Sequence, residues 1–145
     1  MNTLQKKLPS WFWIIGIVSL LWNIMGIFSF VGHTFISEEA LALLSEKEQS
    51  LYNSFPLWVS VVFAIAVLTG FVGSIMLLAR QQMSHPIFKI SLIAILIQMS
   101  YNIFFTSSIE VYGLVETLIM PIIVIVYGVF LVWFSKFAIT KNWLH

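Results

Sequence analysis

Four stretches of this sequence run long and almost uncharged, and that feature limits what the chain can become. A helix needs about 20 apolar residues to cross a hydrocarbon core roughly 30 Å thick. Residues 11–32, 56–79, 86–106 and 114–139 each meet that length. Spanning segments must satisfy their backbone polar groups internally, so each reads as a helix. Local signals agree. Pro9 discourages an earlier start and Ser10 is placed to cap the first helix. Pro56 and Pro86 open the second and third, where a missing N–H is harmless. Lys89, in the first turn of the third, can snorkel to headgroups. Pro121 interrupts the fourth and is expected to kink it, its ring meeting the Thr117 carbonyl.

Composition supports lipid as the solvent. The chain is 60% hydrophobic and only 9% charged, against about 25% charged in soluble domains. A small domain has too much surface for a core to explain that deficit. Six Trp among many aromatics suit a membrane interface. There is no Cys, which removes disulfides, thiolate nucleophiles and cysteine metal sites together. The first span follows Lys6 and Lys7 but is too long for a cleaved signal peptide and lacks a small-residue cleavage site, so it reads as a retained anchor. The expected fold is all-α and integral to the membrane. It is a single domain over residues 1–145, an antiparallel bundle of four transmembrane helices with short amphipathic helices in the first extracytoplasmic loop.

Charge gives the expected orientation. Lys6, Lys7, Arg80, Lys89, Lys136 and Lys141 fall on one side of the spans, and Lys47 alone on the other. All the acids, Glu38, Glu39, Glu46, Glu48, Glu110 and Glu116, fall with Lys47. Lys and Arg collect in cytoplasmic loops, which predicts both termini inside. The loop 33–55 carries helix starts at Ser37-Glu38-Glu39 and, as a capping box, at Ser45 with Glu48. Leu41, Leu44, Leu51 and Phe55 would give it an apolar face. It reads as two short helices lying on the outer surface, either a connector or a lid. Ser107 and Glu110 predict a second capping box, with the fourth helix starting near Ser108.

Small residues mark helix contacts in lipid. They form seams at Gly16, Ser19, Asn23 and Gly26; at Ala66, Gly70, Gly73 and Ser74; at Ser91, Ala94, Gln98 and Asn102; and at Thr117, Pro121, Val124, Gly128 and Ser135. Asn23, Gln98 and Asn102 are the leading functional candidates, because an amide in hydrocarbon must find partners. They act either as helix glue or as the lining of a ligand site, to which Tyr127 and Thr117 can add hydroxyls. Glu116 is either surface charge at a helix start or an inward proton or cation site. His33 falls on the outer side and His85 and His145 on the inner, so no metal or haem site is expected. No catalytic set, cofactor motif or nucleic-acid signal is present, and no enzyme activity is expected.

The run Leu20-Leu21-Trp22-Asn23-Ile24-Met25-Gly26 resembles that of a family of small four-helix bacterial inner-membrane proteins with a Leu-Trp-Asn-x-x-Gly motif, some labelled sugar transporters. Phe55-Pro56-Leu57-Trp58, Gly70, Gly73-Ser74 and Leu77-Leu78-Ala79-Arg80 extend the resemblance over most of the chain. The aromatic that follows the motif, often Tyr, is Phe28 or Phe30 here, without a hydroxyl. The resemblance implies a bacterial inner-membrane location. The chain is also the size of small multidrug transporters, but Asn23 stands where their first helix carries a Glu. The expected role is binding or transport of a small neutral or amphiphilic molecule, with a homo-oligomer for any transport path. The alternative is an accessory or assembly subunit of a larger membrane complex.

Overall fold

A computed structural model describes residues 7–145. It is built from α1 (Ser10–Thr34), α2 (Glu38–Ala42), α3 (Glu46–Asn53), α4 (Leu57–Leu78), α5 (Ser84–Phe104), α6 (Ser108–Tyr112) and α7 (Leu114–Thr140), with no strand among the described residues. Helices α1, α4, α5 and α7 are long and apolar enough to span a membrane, and the chain is a multi-pass four-helix bundle. Both described ends of the chain lie at one end of the bundle, the termini end. Helices α2, α3 and α6 lie at the other, the loop end. Arg80, Lys89, Lys136 and Lys141 belong to the termini end and the six Glu with Lys47 to the loop end; Lys6 lies outside the described residues.

The helix starts follow the prolines more closely than the serine. Pro9 is itself the N-cap of α1, in extended conformation, and its carbonyl accepts the Phe12 N–H at 3.1 Å. Ser10 is therefore the first helical residue and caps nothing, because proline's fixed φ already turns the chain into the helix. Pro56 does the same for α4, its carbonyl accepting from Val59 at 3.1 Å. Helix α5 starts at Ser84, two residues before Pro86. Helix α7 runs unbroken through Pro121.

In the long loop the two short helices form where expected. Ser37 Oγ accepts the Ala40 N–H at 3.1 Å. Ser45 Oγ accepts the Glu48 N–H at 3.3 Å while Glu48 Oε2 accepts the Ser45 N–H at 3.0 Å, completing the capping box. The second expected box, at Ser107 and Glu110, does not form. Ser107 sits at φ −84°, ψ 20°, outside the extended geometry a cap requires. The Ser108 hydroxyl bonds instead to Thr106 Oγ1 at 2.7 Å and to Asn102 Oδ1 at 3.0 Å. Nor does the fourth span begin near Ser108. Helix α6 is a separate turn, ended by Gly113 at φ 88°, ψ 161°, a conformation open essentially to glycine alone. A Cβ at Gly113 would meet nothing within 4 Å, so its cost is purely that of the backbone. Gly113→Ala is expected to lower stability by about 1–3 kcal/mol, read from unfolding in mixed micelles.

Helix α4 packs between α1 and α5, and α5 between α4 and α7. Helices α1 and α7 close the ring through large side chains: Trp11 and Phe12 against Phe134, at 5.9 Å each, and Trp22 against Tyr127 at 5.1 Å. The apolar core lies at the termini end, where Phe12, Leu77, Phe88, Phe134 and Leu144 are almost fully buried. Two helix ends are stitched together there. Arg80 and Asn142 both adopt φ 59°, each forming a Schellman turn: Gln81 N–H to Met76 O at 2.8 Å, and Trp143 N–H to Ala138 O at 2.9 Å. His145 N–H then donates to Arg80 O at 2.7 Å, Gln82 N–H to His145 O at 2.9 Å, and Arg80 Nε to Trp143 O at 2.8 Å. Above this core runs the seam of small and polar residues, with Gly16, Ser19 and Asn23 of α1 and Gly70, Gly73 and Ser74 of α4 all buried.

Candidate functional site

The bundle is not equally packed along its length. Above the Trp22–Tyr127 contact no aromatic pair joins α1 to α7, and the gap becomes a cavity of about 440 Å³ at the loop end. Ser29 and His33 of α1 line one side; Val59, Ser60 and Phe63 of α4 form the back; Gln98, Met99 and Asn102 come from α5. Helix α6 contributes Ser108 and Tyr112, and α7 contributes Glu116, Thr117 and Met120. Helix α3 supplies the cover. Its Leu51 is buried, Tyr52 stacks on the His33 ring at 4.7 Å, and Phe55 just beyond meets His33 edge-on at 5.1 Å. A deeper chamber of about 190 Å³ shares the walls Ser29, Phe63, Gln98, Met99 and Met120, and extends towards Trp22, Asn23 and Val124.

The structure separates the amides by what they bond to. Asn23 Nδ2 donates to Ser19 O at 2.8 Å and to Ser74 Oγ at 3.1 Å. Ser74 Oγ in turn lies 2.7 Å from Ser19 Oγ and donates to Gly70 O at 2.8 Å. Asn23 thus joins α1 to α4, although its side chain also borders the deeper chamber. Along α5, Ser91 donates to Ala66 O at 2.7 Å and Thr106 bonds to the Asn102 carbonyl. Between them, among the described residues, the Gln98 side chain makes no hydrogen bond and lines both chambers. Asn102 is intermediate: Oδ1 accepts from Ser108, and Nδ2 has no acceptor among the described residues.

The other expected residues divide similarly. Glu116 is exposed, in the first turn of α7 at the cavity rim. Thr117 also lines the cavity, but its hydroxyl donates to Ser108 O at 3.0 Å. Tyr127 does not reach the large cavity. Its hydroxyl is buried without a partner among the described residues, beside a void of about 20 Å³ shared with Asn23 and Ser91. That space suits a single water.

His33, Tyr52 and Tyr112 line the cavity without having been expected there. The apolar pattern of the loop marked Leu51 and Phe55, and Tyr52 follows Leu51 directly. Its position, however, depends on how α3 lies across the bundle, which local pattern does not carry. Helix α3 also packs against α6. Glu48 is held below the ordinary carboxylate range by the Ser45 N–H and hydroxyl, with Tyr112 of α6 beside it. Tyr112 is raised by burial and by the Glu48 charge. A depressed carboxyl contributes stability that is present above its unfolded pKa and lost as pH falls through the folded one. Helix α3 is therefore expected to stay protected at neutral pH and to loosen in acid, at pH values below the ordinary carboxylate range. Hydrogen exchange over residues 46–53, corrected for intrinsic rate, checks this; Glu48→Ala should leave α3 loose at both pH values.

In comparison with known proteins, the chain matches no family model, no curated protein and no solved structure.

Proposed function

We propose that this chain is a non-enzymatic protein of the bacterial inner membrane, both termini cytoplasmic, that binds or passes a small neutral or amphiphilic molecule in the loop-end cavity. The observation that carries the reading is Gln98. An unpaired polar group in hydrocarbon costs several kcal/mol, yet this amide lies in a membrane span with no hydrogen bond among the described residues, on the wall of a cavity of about 440 Å³. Its partner is therefore water or a ligand. Asn102 Nδ2 and the Glu116 carboxylate add polar groups on the same wall and rim, and Met99, Met120 and Phe63 supply adaptable apolar surface. Helix α3, joined to the bundle through Leu51 and the His33–Tyr52 stack, is the lid.

The test is native mass spectrometry of the protein released gently from its own membranes, as wild type and as Gln98→Leu. Because Gln98 bonds to no described residue, the substitution is expected to leave stability within about 0.5 kcal/mol. A small molecule retained by the wild type and absent from the variant is the expected result. An empty cavity together with a stable complex containing a different protein would overturn the reading in favour of an accessory subunit.

A further inference from the structure

The two chambers differ in chemistry, and their mouths differ in what they open to. The deeper one is bounded by Val67, Ile95 and Val124. Met25 and Met120 also line it while remaining 61% and 56% exposed, so this chamber opens between α1 and α7 onto the surface that faces lipid. The loop-end chamber is also apolar over most of its lining but adds hydroxyls and aromatic rings that the deeper one has fewer of. Glu116 is the one carboxylate on its lining; no Lys or Arg contributes, and Tyr52, Phe63 and Tyr112 present ring surface. The surrounding loop end carries six Glu and one Lys. The positive half-charge at the start of α7 offsets only part of the Glu116 charge. Such a chamber concentrates cations, through the acidic field around its mouth and through ring faces that attract a positive head.

We infer that the cavity takes a single-chain cationic amphiphile drawn laterally from the bilayer. Its positive head lies among Glu116, Tyr52 and Tyr112, and its apolar tail passes Gln98 into the deeper chamber. The shared walls at Gln98, Met99 and Met120 let one molecule occupy both chambers. An anionic head would face Glu116 with no Lys or Arg on the lining to answer it. A ligand without a tail would leave the lipid-facing chamber unused. This inference rests on the binding reading above and specifies its ligand.

Three probes with one tail and different heads test it: octyltrimethylammonium, octyl glucoside and octyl sulfate. Each is titrated by calorimetry into nanodiscs holding the protein, at about pH 8 where a histidine of ordinary pKa is neutral, with the heat of protein-free discs subtracted. The cation is expected to bind about tenfold more tightly than the glucoside, and the sulfate not above its partitioning into lipid. Glu116→Gln should reduce the affinity for the cation about tenfold; Glu116 is exposed, and the wild-type comparison among probes needs no variant. Glucoside binding equal to that of the cation, or cation binding indifferent to Glu116→Gln, overturns the cationic assignment and leaves the binding site standing. No probe binding beyond partitioning overturns both.

Discussion

Gly70→Ala is expected to destabilise the bundle by about 1–3 kcal/mol, as overpacking does, and Gly70→Leu to prevent its assembly. A Cβ on Gly70 would fall on Asn23 Oδ1, with Asn23 Cγ at 2.9 Å and Ser91 Oγ at 3.2 Å. Asn23 is not free to swing away, because Nδ2 is held by Ser19 O and Ser74 Oγ. Relief must break one of those bonds, each worth on the order of 1 kcal/mol between membrane helices, or push α1 from α4. Gly32→Ala is the control, since a Cβ there meets nothing within 4 Å. Unfolding in mixed micelles measures all three. A Gly70→Ala protein as stable as wild type would show that the contact of α1, α4 and α5 is looser than described.

The second large effect is at the termini end. Trp143→Ala is expected to lose about 3 kcal/mol, at the low end for removing a buried Trp. Trp143 is 8% exposed, and its ring lies edge-on to Trp11 at 5.2 Å, to Phe12 at 5.9 Å and to Phe137 at 5.5 Å. The backbone bonds from Trp143 N–H to Ala138 O and from Arg80 Nε to Trp143 O do not depend on the ring. The alanine variant therefore isolates the aromatic packing. The same unfolding measurement applies, and a loss below about 1 kcal/mol would mean that the tail contributes through its backbone alone.

The spans were legible because length and apolarity in lipid leave few alternatives. The two loop helices were legible because Ser37 and Ser45 carry their capping partners within three residues. The Ser107–Glu110 pair has the same spacing and fails, because the Ser107 backbone sits outside the extended geometry a cap requires. Local pattern does not carry the backbone path between two helices. The small-residue seams were also legible, but not the division among the amides. Asn23 and Gln98 have the same chemistry and similar depth. What separates them is that Ser74 of α4 reaches Asn23, whereas Gln98 faces the cavity that opens above the Trp22–Tyr127 contact. Both depend on distances between helices. The cover from Tyr52 and the rim position of Tyr112 depend likewise on where α3 and α6 settle.

The binding reading requires a water-connected, ligand-sized space within the membrane span at Gln98 and Met99. The absence of cysteine makes single-cysteine labelling a clean measurement of it. Met99→Cys places a thiol on the shared wall of both chambers; Ile97→Cys places one at nearly the same depth on the outer face, where Ile97 is 47% exposed. In nanodiscs, a charged, membrane-impermeant thiol reagent reacts only where water reaches the sulfur. The expected result is rapid labelling at Met99→Cys and none at Ile97→Cys. Labelling at Met99→Cys no faster than at Ile97→Cys would contradict the binding reading and return Gln98 to the role of helix glue.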